Sequence, residues 1–149
     1  MKKLIFASVV ILLNIFVSIG QEIAPYIKVT ETSEGIDQIS EKVVATLKNN
    51  NFTILGTYNP SNKKNLKVIA FTRTDLKNTV IKVTDRGALA ATFKIGFIEE
   101  NGKTTVSYTN PDYILRAYLG ANYNTFSSIF KTFSSDLKSS LATIGSDFT

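Results

Sequence analysis

The sequence predicts an α+β domain in which an antiparallel sheet of about five strands is covered on one face by helices, in the order β-α-β-β-α-β-β-α-α. Three observations lead there. Apolar residues alternate with period two in two pairs of segments, each pair joined by a short turn, the mark of hairpins with one buried face. Two further segments carry apolar stripes at helical spacing. A chain of 149 residues that is 44% hydrophobic and 19% charged has the length for one packed domain and is too apolar to be disordered.

Tyr26 to Thr30 follows Pro25 and alternates weakly, as a first strand would. Ser33-Glu34-Gly35 then opens a helix, because Ile36, Ile39, Val43, Val44 and Leu47 share one helical face. Asn49-Asn50-Asn51 ends it, since asparagine enters the left-handed region readily, and this explains the Asn51-Phe52-Thr53 triplet better than a glycan does. Phe52 to Tyr58 and Leu66 to Arg73 alternate on either side of Asn59-Pro60-Ser61-Asn62 and form a hairpin. A helix capped by Thr74 follows, with Leu76, Val80 and Val83 on one face and Gly87 as its stop, although the β-branched run Thr79-Val80-Ile81 favours a strand. From Ala88 the alternation returns, with Leu89, Ala91, Phe93, Ile95 and Phe97 on one face. Asn101-Gly102 turns the chain back into Lys103 to Thr109. Asn110 as cap and Pro111 at the first helical position start a short helix that reaches Leu119 before Gly120. The last helix carries Phe126, Ile129, Phe130, Phe133, Leu137, Leu141 and Ile144 as one stripe, and Gly145 closes it.

The N-terminus has the architecture of a secretory leader. Lys2 and Lys3 precede an apolar run from Leu4 to Ile19, and Ser18 and Gly20 occupy the small-residue positions before a cut at Gln21. The expected organisation is therefore a signal peptide over 1–20 and one exported domain over 21–149, periplasmic or secreted, touching a membrane only through an uncleaved leader. With Lys2 and Lys3 removed, the seventeen Lys and Arg fall to fifteen against twelve Asp and Glu. A domain so mildly basic, with no cluster stronger than Lys63, Lys64 and Lys67, lacks the many phosphate contacts that nucleic acid requires.

Histidine and cysteine are both absent, which removes Ser-His-Asp triads, thiol nucleophiles, disulfides and imidazole or thiolate metal sites together. Glu99 and Glu100 are adjacent at a hairpin turn and read as solvated, while Asp75, Asp85 and Asp112 sit at helix ends. No phosphate loop, calcium loop or dinucleotide fingerprint is present, so the expectation is a protein that is not an enzyme and needs no cofactor or metal.

Asn51-Phe52-Thr53-Ile54, about a helix length after the first strand, a hairpin, a capped helix, the Gly102 hairpin and then Asn110-Pro111 together resemble the bacterial family called domain of unknown function 302. The resemblance covers roughly Ile27 to Leu119. Arg73-Thr74-Asp75 stands where that family habitually has Cys-Asn-Pro or a similar element. The resemblance implies a helix-on-sheet fold related to TATA-box-binding-protein-like and helix-grip domains, and it implies no activity.

Two groups of residues are candidates for binding. Tyr108, Tyr113, Tyr118 and Tyr123 lie close in sequence with Asn110 and Arg116, and Arg73 and Arg86 flank the middle helix at what would be the same end of the sheet. They are read either as the rim of the core or as a polar mouth. The Phe stripe, with Phe130 and Phe133 at its centre, is read either as plain core or as one wall of a groove over a sheet face carrying Phe93, Ile95, Phe97, Val68 and Ala70, where Ala70, Ala88, Ala90, Ala91 and Gly96 would leave room. The leading expectation is a non-catalytic exported domain that takes a small apolar or lipid-like ligand in that groove. The alternative is a structural or interaction protein of the envelope acting through a homodimer or partner contacts.

Overall fold

The computed structural model describes residues 23–149. The leader reading of Met1 to Gly20, with its cut before Gln21, lies outside the described residues. The elements are β1 (Tyr26–Thr32), α1 (Ile36–Asn49), β2 (Thr53–Tyr58), β3 (Leu66–Thr72), α2 (Thr74–Val80), β4 (Phe93–Glu100), β5 (Lys103–Thr109), α3 (Pro111–Leu119) and α4 (Ser127–Leu141). The order is the expected one. The strands form one antiparallel sheet, β1-β5-β4-β3-β2.

Local sequence accounts for most of the boundaries. Asn51 has φ 63° directly after α1, and the Phe52 N–H donates to the Leu47 carbonyl at 3.0 Å, so asparagine closes this helix. Asn101 and Gly102 have φ 52° and 73°, the two positive values that a two-residue hairpin turn demands between β4 and β5. The Asn110 side chain accepts from the Asp112 N–H at 3.1 Å and Pro111 opens α3.

Three expectations fail locally. The strand expected from Ala88 begins at Phe93, because Gly87–Ala91 is a 3-10 turn and Leu89 is exposed within it. Gly87 is packed so closely that a Cβ would lie 2.1 Å from the Val80 carbonyl oxygen, and this tight turn leaves no room for an extended strand. The helix expected to run from Thr74 to Gly87 covers only Thr74–Val80. Arg73 rather than Thr74 holds its cap position, with no side-chain cap bond. Glu99 is not merely solvated: its Oε2 accepts from the Ile36 N–H at 3.2 Å and caps α1, whose own cap residue Gly35 has no side chain to offer.

All four helices bury side chains in one core with the residues on one face of the sheet. Ile39, Val43 and Leu47 of α1, Leu76 of α2, Leu115 of α3 and Phe130, Phe133 and Leu137 of α4 meet Ile69, Phe71, Phe93, Ile95, Phe97, Val106 and Tyr108. Phe133 stacks edge-on against Phe52 at 5.7 Å and lies 4.8 Å from Phe93, ring centre to ring centre. The opposite face of the sheet carries no helix among the described residues.

Candidate functional site

Arg73 lies between β3 and α2 and is 8% exposed. Its Nε and Nη2 donate to the two carboxylate oxygens of Asp75 at 2.7 and 2.9 Å, and its Nη1 donates to Asp136 Oδ2 on α4 at 2.7 Å. The guanidinium also sits 5.1 Å from the Phe133 ring centre and 5.5 Å from that of Phe52. Burial opposes the charge, but the bonds to Asp75 and Asp136 outweigh it and hold the guanidinium above its ordinary pKa. Burial likewise opposes the charge on Asp75. The Arg73 bond and the Leu76 N–H outweigh it and bring that carboxyl below the ordinary range.

An open polar hollow of about 890 Å³ adjoins this cluster, lined among others by Asn51, Thr53, Thr132 and Ser139. Arg73 is committed to two carboxylates, so the cluster ties α2 to α4 and presents no free cation to the hollow. Because Asp75 titrates lower folded than unfolded, its contribution to stability is complete above the unfolded carboxylate pKa of about 4 and is lost as pH falls through the lower folded value. Urea unfolding between about pH 5 and about pH 2 is expected to show a shallower loss of stability for Asp75→Asn than for the unaltered protein. Equal slopes would remove this role.

The tyrosine group divides. Tyr108 is 3% exposed and belongs to the core, and burial raises its phenol pKa. Tyr118 is half-buried against the core, while Tyr113 is exposed. Asp112 collects the polar members: it accepts from Arg116 Nε at 2.9 Å and from the Tyr123 hydroxyl, and the Arg116 guanidinium lies 4.1 Å from the Tyr123 ring centre. Asn110 binds the chain before β1, donating from Nδ2 to the Ala24 carbonyl at 2.8 Å. This cluster fastens α3 to the turn after it. Arg73 is held by other partners, so the expected convergence of Arg73 with Tyr108, Asn110, Tyr113, Arg116 and Tyr118 does not occur. Phe130 and Phe133 are 1% and 0% exposed, which makes the Phe stripe core and not the wall of a groove.

A second concavity lies on the sheet face that carries no helix among the described residues. Register places its residues in rows across the strands. Lys28, Ser107, Gly96, Val68 and Tyr58 are successive partners from β1 to β2. Tyr26 pairs with Thr109, and Lys94 pairs with Ala70, which pairs with Gly56. Glu31, Thr105, Ile98 and Leu66 form the third row. The small residues Gly96 and Ser107 thus occupy the middle, while Tyr26, Tyr58 and Ile98 stand around them, 63%, 46% and 46% exposed. The result is a basin of about 530 Å³ whose surface is mostly apolar. Lys94 lines it, is exposed, and has no carboxylate partner among the described residues.

Of the residues that line this basin, sequence reasoning gave only Val68 and Gly96 a part in a site, and it assigned them to the face beneath the last helix. The usable signal was the polar phase of β4 and β5: Gly96, Ile98, Thr105 and Ser107 are uncharged on a face that alternation assigns to water.

A five-stranded antiparallel sheet with its described helices on one face defines an α+β helix-on-sheet domain by architecture. The chain belongs to the family described as domain of unknown function DUF302, whose model matches residues 28–144. The match extends beyond Leu119 and takes in α4. A similar solved structure is the crystal structure of an uncharacterized conserved DUF302 protein from Bacillus stearothermophilus, with TM-score 0.67 and 15% identity over 80% of this chain and 98% of that one. At that identity the likeness concerns the fold alone. Comparison with curated proteins returns no match.

Proposed function

We propose that this protein is an exported, non-catalytic domain that binds a small lipid-like molecule with an acidic head on the open face of its sheet. The observation that carries the reading is the basin itself: an apolar floor of Gly96 and Val68 between Tyr26 and Tyr58, with the Lys94 ammonium, unpaired among the described residues, beside it. An apolar body would lie across the small residues between the tyrosines, and a carboxylate or phosphate head would meet Lys94. Thr105, Ser107 and Thr109 supply hydroxyls along the β5 side. Support for export comes from the Lys2-Lys3 start and the Ser18-Ile19-Gly20 cleavage site. The absence of histidine and cysteine from the whole chain, and the engagement of Asp75, Asp112 and Asp136 in ion pairs, favour binding over catalysis.

An anionic naphthalene-sulfonate fluorophore is a suitable probe because it combines an apolar ring system with a fixed negative charge. Gly96 has no atom closer than 4.0 Å to a built Cβ, so a side chain can start there, and Gly96→Leu intrudes on the basin. Gly96→Leu is expected to weaken probe binding by about tenfold or more, and Lys94→Glu to weaken the anionic probe while sparing a neutral one of similar size. Tyr113→Ala and Arg116→Ala are expected to leave both unchanged. Unaltered affinity in Gly96→Leu would dismiss the basin. The intact mass of the exported form, starting at Gln21, checks the leader.

A further inference from the structure

The two edges of the sheet are treated differently by the chain. Along β1 the C-terminal tail takes the place of a neighbour. The Lys28 N–H donates to the Thr149 carbonyl at 2.8 Å and the Asp147 N–H donates to the Val29 carbonyl at 3.0 Å. Gly145 lies so close to β1 that a Cβ there would come 2.3 Å from Thr30 Cβ, and Asp147 pairs with the Lys28 ammonium at 3.2 Å. That edge is closed.

Along β2 nothing comparable is found among the described residues. Its sequence, Thr53-Ile54-Leu55-Gly56-Thr57-Tyr58, has no charge and no proline, the two devices that most often blunt an exposed edge. A bulge at Leu55 is its one irregularity, and Leu55 is 54% exposed. Beside this edge runs an open groove lined by α1 on one side, with Glu41, Val44, Ala45 and Lys48, and by Ile54 and Thr57 of β2 on the other.

Positions 41, 44, 45 and 48 follow the i, i+3, i+4, i+7 pattern and form one stripe along α1. The stripe is acidic at one end, basic at the other, and symmetric about Val44 and Ala45. Neither Glu41 nor Lys48 has an ion-pair partner among the described residues, although neighbouring Asp37 and Lys42 pair with Lys67 and Glu34.

The geometry points to a homodimer formed by antiparallel pairing of β2 with β2 of a second copy. A two-fold axis through that pairing runs the two α1 helices antiparallel. It sets Glu41 of each chain opposite Lys48 of the other, as an isologous contact requires. Because α1 packs over β2 to β4, the two helices are roughly three strand spacings, about 14 Å, apart. Glutamate and lysine side chains reaching from both sides bridge that gap. The exposed groove at Ile54 and Val44 is covered in the same step, and two five-stranded sheets become one of ten strands with a continuous open face.

Light scattering on the purified protein is expected to give twice the chain mass at tens of micromolar. Glu41→Lys replaces two attractions by two repulsions and is expected to raise the dimer dissociation constant by about tenfold or more. The double variant Glu41→Lys with Lys48→Glu restores the pairing in reverse and is expected to recover the dimer. Circular dichroism confirms that each variant is folded. A monomeric unaltered protein, or a dimer indifferent to Glu41→Lys, would overturn the proposal. A dimer lost instead on Gly96→Leu would assign the interface to the open sheet face and overturn it equally.

Discussion

Phe133→Ala is expected to lower the unfolding free energy by about 3 to 5 kcal/mol, the range for removing a large aromatic from a packed core. Phe133 is fully buried and joins three parts of the fold. Its ring meets Phe52 before β2, Phe93 at the start of β4, and the Arg73 guanidinium before α2. Truncation leaves all three facing a cavity, and Phe93 is too constrained by its place in the sheet to collapse into it. Phe130→Ala is expected to fall toward the lower end of the same range, because Tyr123 and Phe126 surround its ring and lie nearer the surface. Urea titration measures both. A loss under about 1 kcal/mol in each would mean that α4 does not hold the sheet as described.

Arg73→Ala is expected to cost about 2 to 3 kcal/mol, less than the 3 to 5 kcal/mol typical of breaking a fully buried pair. The reduction follows from the carboxylates. Asp75 and Asp136 are half-exposed and regain water when the guanidinium is removed, so neither is left as a buried, unpaired charge. What is lost is the link between α2 and α4 and the apolar stem that covers Phe52 and Phe133. Arg73→Met keeps a stem of similar length and is expected to recover a part of the loss, which separates packing from pairing. Equal losses in the two variants would assign the whole effect to charge.

The elements whose ends are fixed by local chemistry were legible in the sequence. Asn51, Asn101-Gly102 and Asn110-Pro111 each need particular residues at particular angles, and the structure uses all of them as read. The stretch from Ile81 to Thr92 was not legible. Leu89 and Ala91 continue the period of Phe93, Ile95 and Phe97 by coincidence, whereas the close approach of Gly87 to Val80 is a tertiary contact with no trace in spacing. The sequence group Tyr108 to Tyr123 looked like a site because its members are neighbours along the chain. In the fold they turn to the core, to α3 and to solvent.

The basin was illegible for the opposite reason. It takes one to three residues from each of five strands, and Tyr26 and Tyr58 reach it only through the register of three intervening strands. Sequence order gives no hint of that row. Nor does alternation alone reveal which face of a sheet is left without helices, since both faces of β3 carry apolar residues: Ile69 and Phe71 on one, Leu66, Val68 and Ala70 on the other.

The proposed function stands on binding at the open sheet face, and amide chemical-shift mapping with a medium-chain fatty acid locates the bound ligand. Ligand on the open face is expected to move the amides of Lys94 to Ile98, Val68, Ser107 and Tyr58, and to leave Phe126 to Leu141 in place. Shifts concentrated in α4 and in Tyr113 to Leu119, with the β4 amides unmoved, would rule out the open face and return the site to the junction of helix and sheet.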